Sequence, residues 1–153
     1  MHVIQQWTEA NAFFIWLRES PSIWAYPTVF FLHTIGLVFT AGVSLLIDAR
    51  VLGAARELQV APLGKFFKPV WIGFWLTAIS GVIMVLSDFE TRVTNRLFPL
   101  KMAFVVAAIV LTALMRGRVE RADLSAPTRA MAAASLACWL GAITAGRFMA
   151  FFQ

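Results

Sequence analysis

The sequence contains little charge for its length. Aspartate, glutamate, lysine and arginine make up 14% of the 153 residues, whereas hydrophobic residues make up 60%. A soluble domain has about 25% charged and about 45–50% apolar residues, even with glycine counted as apolar. The few charges are clustered between long apolar runs and are not spread along the outer face of every helix. The composition therefore excludes a water-soluble globule and predicts an all-α integral membrane protein.

Cysteine and histidine are also scarce. The single cysteine, Cys138, lies within an apolar run, so neither a disulfide framework nor a cysteine-rich zinc or iron–sulfur site is available. There are only two histidines, and His2 lies at the terminus, which leaves His33 alone inside an apolar segment. No serine–histidine elbow, glycine-rich phosphate loop or metalloprotease helix motif is present. Nucleophilic catalysis therefore finds no support in the sequence, and bis-histidine ligation within one bundle is not available.

The chain is basic, with a formal charge of +5, but nucleic-acid binding is not expected. The lysines and arginines lie in short loops beside the apolar runs, which is what membrane topology requires. The N-terminus lacks a basic region followed by an apolar one, so no cleaved signal peptide is expected.

Four apolar segments predict a four-helix transmembrane bundle that forms a single membrane domain over residues 1–153. Each is about long enough to cross a hydrocarbon core of roughly 30 Å. The segments are residues 28–47, 69–87, 97–115 and 130–150. Ahead of them, residues 3–18 carry apolar side chains at helical spacing but are too short to span. They predict an N-terminal amphipathic helix in the membrane interface, or else a helix packed on the rim of the bundle.

The distribution of basic residues predicts the orientation. Eight of the 13 lysines and arginines lie in the first and third loops. The positive-inside rule therefore places these loops in the cytoplasm and both termini on the periplasmic side.

The first two predicted spans each carry a face of small and polar residues. Helical spacing puts Gly36, Thr40 and Ser44 on the same face of the first span as His33. Asp48 follows at the cytoplasmic end of this face, where the simplest role is an ion pair with Arg50 or an anchor for the topology. The second span has a similar stripe, formed by Gly73, Thr77, Ser80, Gly81, Met84 and Asp88. Such small faces let helix backbones approach closely.

The ionisable and sulfur-bearing groups predict a common chamber in the outer leaflet. His33 and Met84 come at similar depth, and Lys101 enters the third span from the same side, as Arg147 does the fourth. The alternatives are an interhelical hydrogen bond for His33 and snorkelling to headgroups for Lys101 and Arg147.

A neutral imidazole in a dry bundle is a natural axial ligand for haem iron, and this chemistry fits the predicted chamber. Lys101 and Arg147 are placed to meet the propionates, and Met84 is one candidate for the second axial position. A copper site would combine His33 with the thioether of Met84 or Met102, because soft ligands favour Cu(I). An ion pathway would use His33, Asp48 and Asp88, but no continuous polar chain joins them.

Several stretches also resemble known proteins. "LHTIGLVFTAGVSLLIDARVLG", "WIGFWLTAISGVIM", "LFPLKMAF" and "WLGAITAGRFMAF" look like a group of small bacterial four-helix membrane proteins of unknown function. More distantly, the histidine in helix one and the lysine in helix three are similar to the haem-binding four-helix protoporphyrinogen oxidases and to copper-resistance membrane domains. The resemblance implies His33 as the haem ligand and Lys101 as a functional lysine.

The sequence thus leads to one expectation with two alternatives. We expect a b-type haem protein of the bacterial inner membrane, acting in electron transfer or porphyrin-linked oxidation with His33 as the iron ligand. The alternatives are a non-catalytic accessory membrane subunit and a copper-binding or copper-homeostasis protein. The expected partners are the lipid bilayer and either a second copy of the chain or a membrane redox protein, and not nucleic acid.

Overall fold

Four long helices dominate the computed structural model, which describes residues 6–8, 10–54 and 56–149. Each is long and apolar enough to cross a membrane, as predicted. We call them span 1 (Tyr26–Leu52), span 2 (Ala61–Ser87), span 3 (Leu97–Glu120) and span 4 (Ala126–Phe148). The described part of the chain is all-helical and contains no β-strand, so it has the architecture of a multi-pass membrane protein.

The predicted N-terminal segment is helical at residues 6–8 and 10 and again from Ala12, with a break at Asn11. Helix α1 covers Ala12–Glu19 and begins where the Asn11 side chain accepts a hydrogen bond from the Phe13 amide at 3.0 Å. Phe14 and Leu17 are buried, and α1 contacts span 2. Residues 3–5 and 9 of the predicted segment 3–18 lie outside the described residues. Location of this segment in the membrane interface stays a prediction.

Span 1 is longer than the predicted residues 28–47. It consists of α2 (Tyr26–Leu37), a π-helical turn (Val38–Gly42) and α3 (Val43–Leu52), and it ends at Gly53, whose φ of 107° suits a glycine cap. The prediction ended the span at Ile47, because Asp48 is the first formal charge after the apolar run. Asp48 is instead buried inside the bundle, and Arg50 donates to the carbonyl oxygens of Leu58 and Arg56.

The other spans also extend beyond their predicted bounds. Span 2 opens with a 3₁₀ segment (Ala61–Phe66) and continues as α4 (Phe67–Ser87). The short helix α5 (Phe89–Thr94) follows, in a stretch predicted as a polar connection. Span 3 is α6 and span 4 is α7; predicted residue 150 lies outside the described residues. Span 3 runs on past its apolar run because basic side chains such as Arg118 are favourable in the last turn of a helix.

Spans 1 and 2 form one pair and spans 3 and 4 form another, and span 1 also contacts span 4. The first half of span 1, α2, packs against span 2, its second half, α3, packs against span 4, and spans 3 and 4 pair with each other. Large apolar side chains remain on the outside: Phe31, Trp75 and Val106 are 62%, 62% and 63% exposed. Apolar surface of this extent fits contact with lipid, whereas it would promote aggregation in water.

Candidate functional site

The imidazole of His33 is hydrogen-bonded across the interface between spans 1 and 2. Its Nδ1 lies 3.1 Å from the carbonyl oxygen of Thr77 and 3.1 Å from the hydroxyl oxygen of Ser80. Because a carbonyl can only accept, Nδ1 is the protonated nitrogen. Ser80 in turn donates its hydroxyl to the Leu76 carbonyl at 2.6 Å, so it is free to accept from His33. In the neutral ring, Nε2 is then the nitrogen with a lone pair.

Glycines make this close approach of the two spans sterically feasible. A Cβ atom at Gly73 would lie 2.7 Å from Phe39 Cβ and 2.8 Å from the Gly36 carbonyl oxygen. A Cβ atom at Gly81 would lie 3.1 Å from His33 Cε1, so the ring occupies the space beside this glycine. The small faces predicted from the sequence thus pack on each other and determine where the imidazole lies.

The π-helical turn lies directly after the His33 segment. Thr40, within this turn, donates its hydroxyl to the Gly36 carbonyl at 2.8 Å and lies 3.4 Å from the Val70 carbonyl of span 2. π-helical turns are rare and occur frequently at functional sites. The turn was not predicted, because no residue type in "VFTAG" specifies it.

Two basic side chains lie on the same side of the bundle as His33. Lys101 packs its alkyl chain against span 4, where a Cβ atom at Gly146 would lie 3.3 Å from Lys101 Cε. Arg92 lies at the start of span 1, because its guanidinium contacts the Tyr26 hydroxyl. A common chamber formed by His33 and Lys101 stays a prediction.

Arg92 is the member of this group that the sequence analysis did not single out. Its guanidinium donates to the Tyr26 hydroxyl at 2.9 Å and pairs with Asp88 at 3.8 Å. These contacts tie α5 to the start of span 1, beside the His33 end. Arg92 lies in a polar connection, so its sequence context indicated only a loop charge.

Met84 and Arg147 lie on the two spans that His33 and Lys101 contact. Met84 is buried on span 2, one helical turn beyond the Gly81 position against which the imidazole packs. Arg147 follows Gly146, the residue that Lys101 contacts, but its side chain is exposed. The grouping of Met84, Lys101 and Arg147 around His33 therefore stays a prediction.

A second buried polar group lies deeper along span 1. Asp48 and Ser44 are 2% and 1% exposed, Thr112 of span 3 is 4% exposed, and Ser135 of span 4 is fully buried. The oxygens Asp48 Oδ2, Ser44 Oγ, Thr112 Oγ1 and Ser135 Oγ all lack a hydrogen-bond partner, although Ser135 lies near the Asp48 carboxyl. We call these four side chains the polar layer. An aspartate predicted for the membrane mouth is therefore part of the interior.

Two hydrophobic clusters enclose the polar layer. Ala41, Ala108 and Trp139 pack on one side of it. On the other side lies a larger cluster with members from all four spans, including Ile47, Phe67, Met115 and Ala132.

Multidentate metal binding has little support in the part of the chain that the structure describes. No three histidine, cysteine, aspartate or glutamate side chains gather there as a metal site. A ligand that needs a single protein nitrogen remains compatible with His33.

Comparison with known proteins adds no assignment. No protein family, curated protein or solved structure matches this chain.

Proposed function

We propose that this chain is a b-type haem-binding protein of the bacterial inner membrane, with His33 as an axial ligand of the iron. The hydrogen bond from His33 Nδ1 to the Thr77 carbonyl carries the proposal. Histidines that bind metals commonly donate their other ring nitrogen to a backbone carbonyl, which fixes the tautomer and the ring orientation. Here the arrangement leaves Nε2 as the ligand nitrogen.

The residues around His33 fit the requirements of a haem. The ring sits beside Gly81, where a larger residue would push it away. Lys101 provides a cation on the same side, and Arg147 is the second candidate to meet a propionate. Met84 supplies a buried thioether on the neighbouring span and is our candidate for the second ligand.

The haem would supply one-electron redox chemistry, and the protein would supply its orientation and an apolar environment. Electron transfer or porphyrin-linked oxidation is the corresponding role. The exposed apolar faces of the spans support a partner within the membrane, either a second copy of the chain or a redox protein. We place both termini on the periplasmic side, because loops one and three carry most of the basic residues.

A copper site is the second candidate, favoured by the buried Met84 on the span that contacts His33. A copper protein would bind the metal without a Soret band. An accessory subunit would bind neither and would co-purify with a partner.

An absorption spectrum of the detergent-purified protein, produced with a haem precursor, tests the proposal. We expect a Soret band and, after dithionite reduction, α and β bands in the wild type and in Thr34→Ala, a matched change at an exposed position on the same helix. We expect these bands to be absent from His33→Ala. A colourless wild-type protein in the presence of excess haem would overturn the proposal.

A further inference from the structure

A basic groove opens between the start of span 2 and the end of span 3. It has a volume of about 550 Å³, and its cations are Lys65, Lys68 and Arg116. Trp71, Ile72 and Trp75 provide its apolar wall. The groove lies toward the end of span 2 opposite to the His33 contact, and it is independent of the proposed haem site.

The 3₁₀ segment of span 2 builds one side of this groove. A Cβ atom at Gly64 would lie 2.7 Å from Glu120 Cγ, so this glycine allows the segment to pack on the end of span 3. Glu120 also accepts a hydrogen bond from Arg116 Nε at 2.9 Å, which orients the guanidinium. Even with the Glu120 carboxylate counted, positive charge is in excess.

One face of span 2 carries positive charge at its start and exposed apolar side chains after it. Lys68, Ile72, Trp75 and Ile79 recur at helical spacing, and the last three are 62%, 62% and 60% exposed. The cations therefore lie at the end of span 2, and the apolar stripe continues from them toward the middle of the span. In a bilayer this order matches headgroup depth followed by acyl-chain depth.

We propose that this groove binds the headgroup of an anionic phospholipid through Lys65, Lys68 and Arg116, with an acyl chain lying along Ile72, Trp75 and Ile79. Basic pockets between membrane helices bind anionic headgroups by charge complementarity. A free phosphate ion would use only the cations. The stripe that continues from them favours a lipid.

Thermal stability in nanodiscs of defined lipid composition tests the proposal. We compare the full chain in phosphatidylcholine, in phosphatidylcholine with phosphatidylglycerol, and in phosphatidylcholine with inorganic phosphate. We expect the wild-type Tm to rise with phosphatidylglycerol and to stay unchanged with phosphate. In Lys65→Gln/Lys68→Gln the apparent affinity for phosphatidylglycerol should fall about tenfold or more, since each cation near a membrane surface contributes about 1 kcal/mol.

A second cavity provides a control with the same change in charge. Arg118 and Arg121 line a cavity of about 530 Å³ that also contains Asp123 and lacks an aromatic wall. Arg118→Gln/Arg121→Gln should therefore retain the wild-type response to phosphatidylglycerol. Equal losses in the two double variants would show unspecific surface electrostatics and overturn the proposal, as would a phosphate response equal to the lipid response.

Fluorescence provides a readout that does not depend on stability. Phosphatidylglycerol with brominated acyl chains quenches tryptophan at short range, so quenching should fall in Trp75→Phe and in Arg116→Gln. The same quenching by brominated phosphatidylcholine in the wild type would overturn the proposal. Arg116→Gln changes an exposed side chain and serves if the double lysine variant does not fold.

Discussion

The Nδ1 atom of His33 lies 3.1 Å from the carbonyl oxygen of Thr77, so an imidazole in one membrane span is oriented by the backbone of the next. A backbone acceptor is independent of the side chain at position 77. The orientation of His33 therefore depends on the packing of spans 1 and 2, and this packing depends on glycine.

Gly73→Ala should destabilise the protein. Its new Cβ would lie 2.7 Å from Phe39 Cβ, and overpacking of this kind costs about 1–3 kcal/mol. Gly42→Ala is the control, because its Cβ would lie 3.9 Å from Val38 Cγ1 and alanine has the better helix propensity. We expect a lower Tm in detergent for Gly73→Ala only. Equal Tm values for both variants would show that spans 1 and 2 do not pack closely at this level.

The number of spans and the small faces could be predicted from the sequence, because long apolar runs and the spacing of Gly36, Gly73 and Thr77 are local patterns. The burial of Asp48 could not. A carboxyl near the end of an apolar run has the same sequence pattern whether it meets water or lies buried near Ser135 on a distant helix.

In the candidate site, too, some residues could be predicted from the local sequence and others could not. The sequence indicated His33 and Lys101 because ionisable residues are rare within apolar segments. It did not indicate Arg92, whose contact with Tyr26 bridges residues far apart in the chain. The tautomer of His33 also depended on knowing which backbone carbonyl faces the ring.

Ser80→Ala should weaken haem binding without abolishing it. The change removes one of the two acceptors near His33 Nδ1, whereas the Thr77 carbonyl remains. Loss of a partner that orients a metal ligand typically costs 10–100-fold in affinity, so we expect about tenfold at most here. Haem titration followed at the Soret band measures this. A complete loss of binding would show that Ser80, and not the Thr77 backbone, orients the ring.

Thr112→Val should leave the stability unchanged or raise it. The Thr112 hydroxyl is buried without a hydrogen-bond partner, and such a group costs about 1–3 kcal/mol, while valine keeps its shape. Thr40→Val is the contrasting variant, because Thr40 donates to the Gly36 carbonyl. We expect a lower Tm only for Thr40→Val. A marked decrease for Thr112→Val would indicate that its hydroxyl binds water or an ion in the polar layer.

Acid should remove a stabilising contribution of Asp123, which lies between spans 3 and 4. Hydrogen bonds from the Ser125 amide and then from the Ser125 and Thr128 hydroxyls lower the pKa of Asp123 from 3.8 to about 2. Because the folded-state pKa is depressed, this contribution is present above pH about 4 and is lost as the pH falls toward about 2. Asp123→Asn should therefore have a lower Tm than the wild type at pH 6, with the difference shrinking below pH 4. A difference that is constant over this range would contradict the assignment.

The most direct measurement of the central claim is haem reconstitution of His33→Gly with and without free imidazole. We expect the wild type to bind one haem per chain and His33→Gly to lose the Soret band. Added imidazole should restore the band, because it can occupy the space that the side chain leaves and supply the missing nitrogen. A wild-type protein that takes up no haem, or a His33→Gly spectrum identical to that of the wild type, would contradict the proposal that His33 binds the iron.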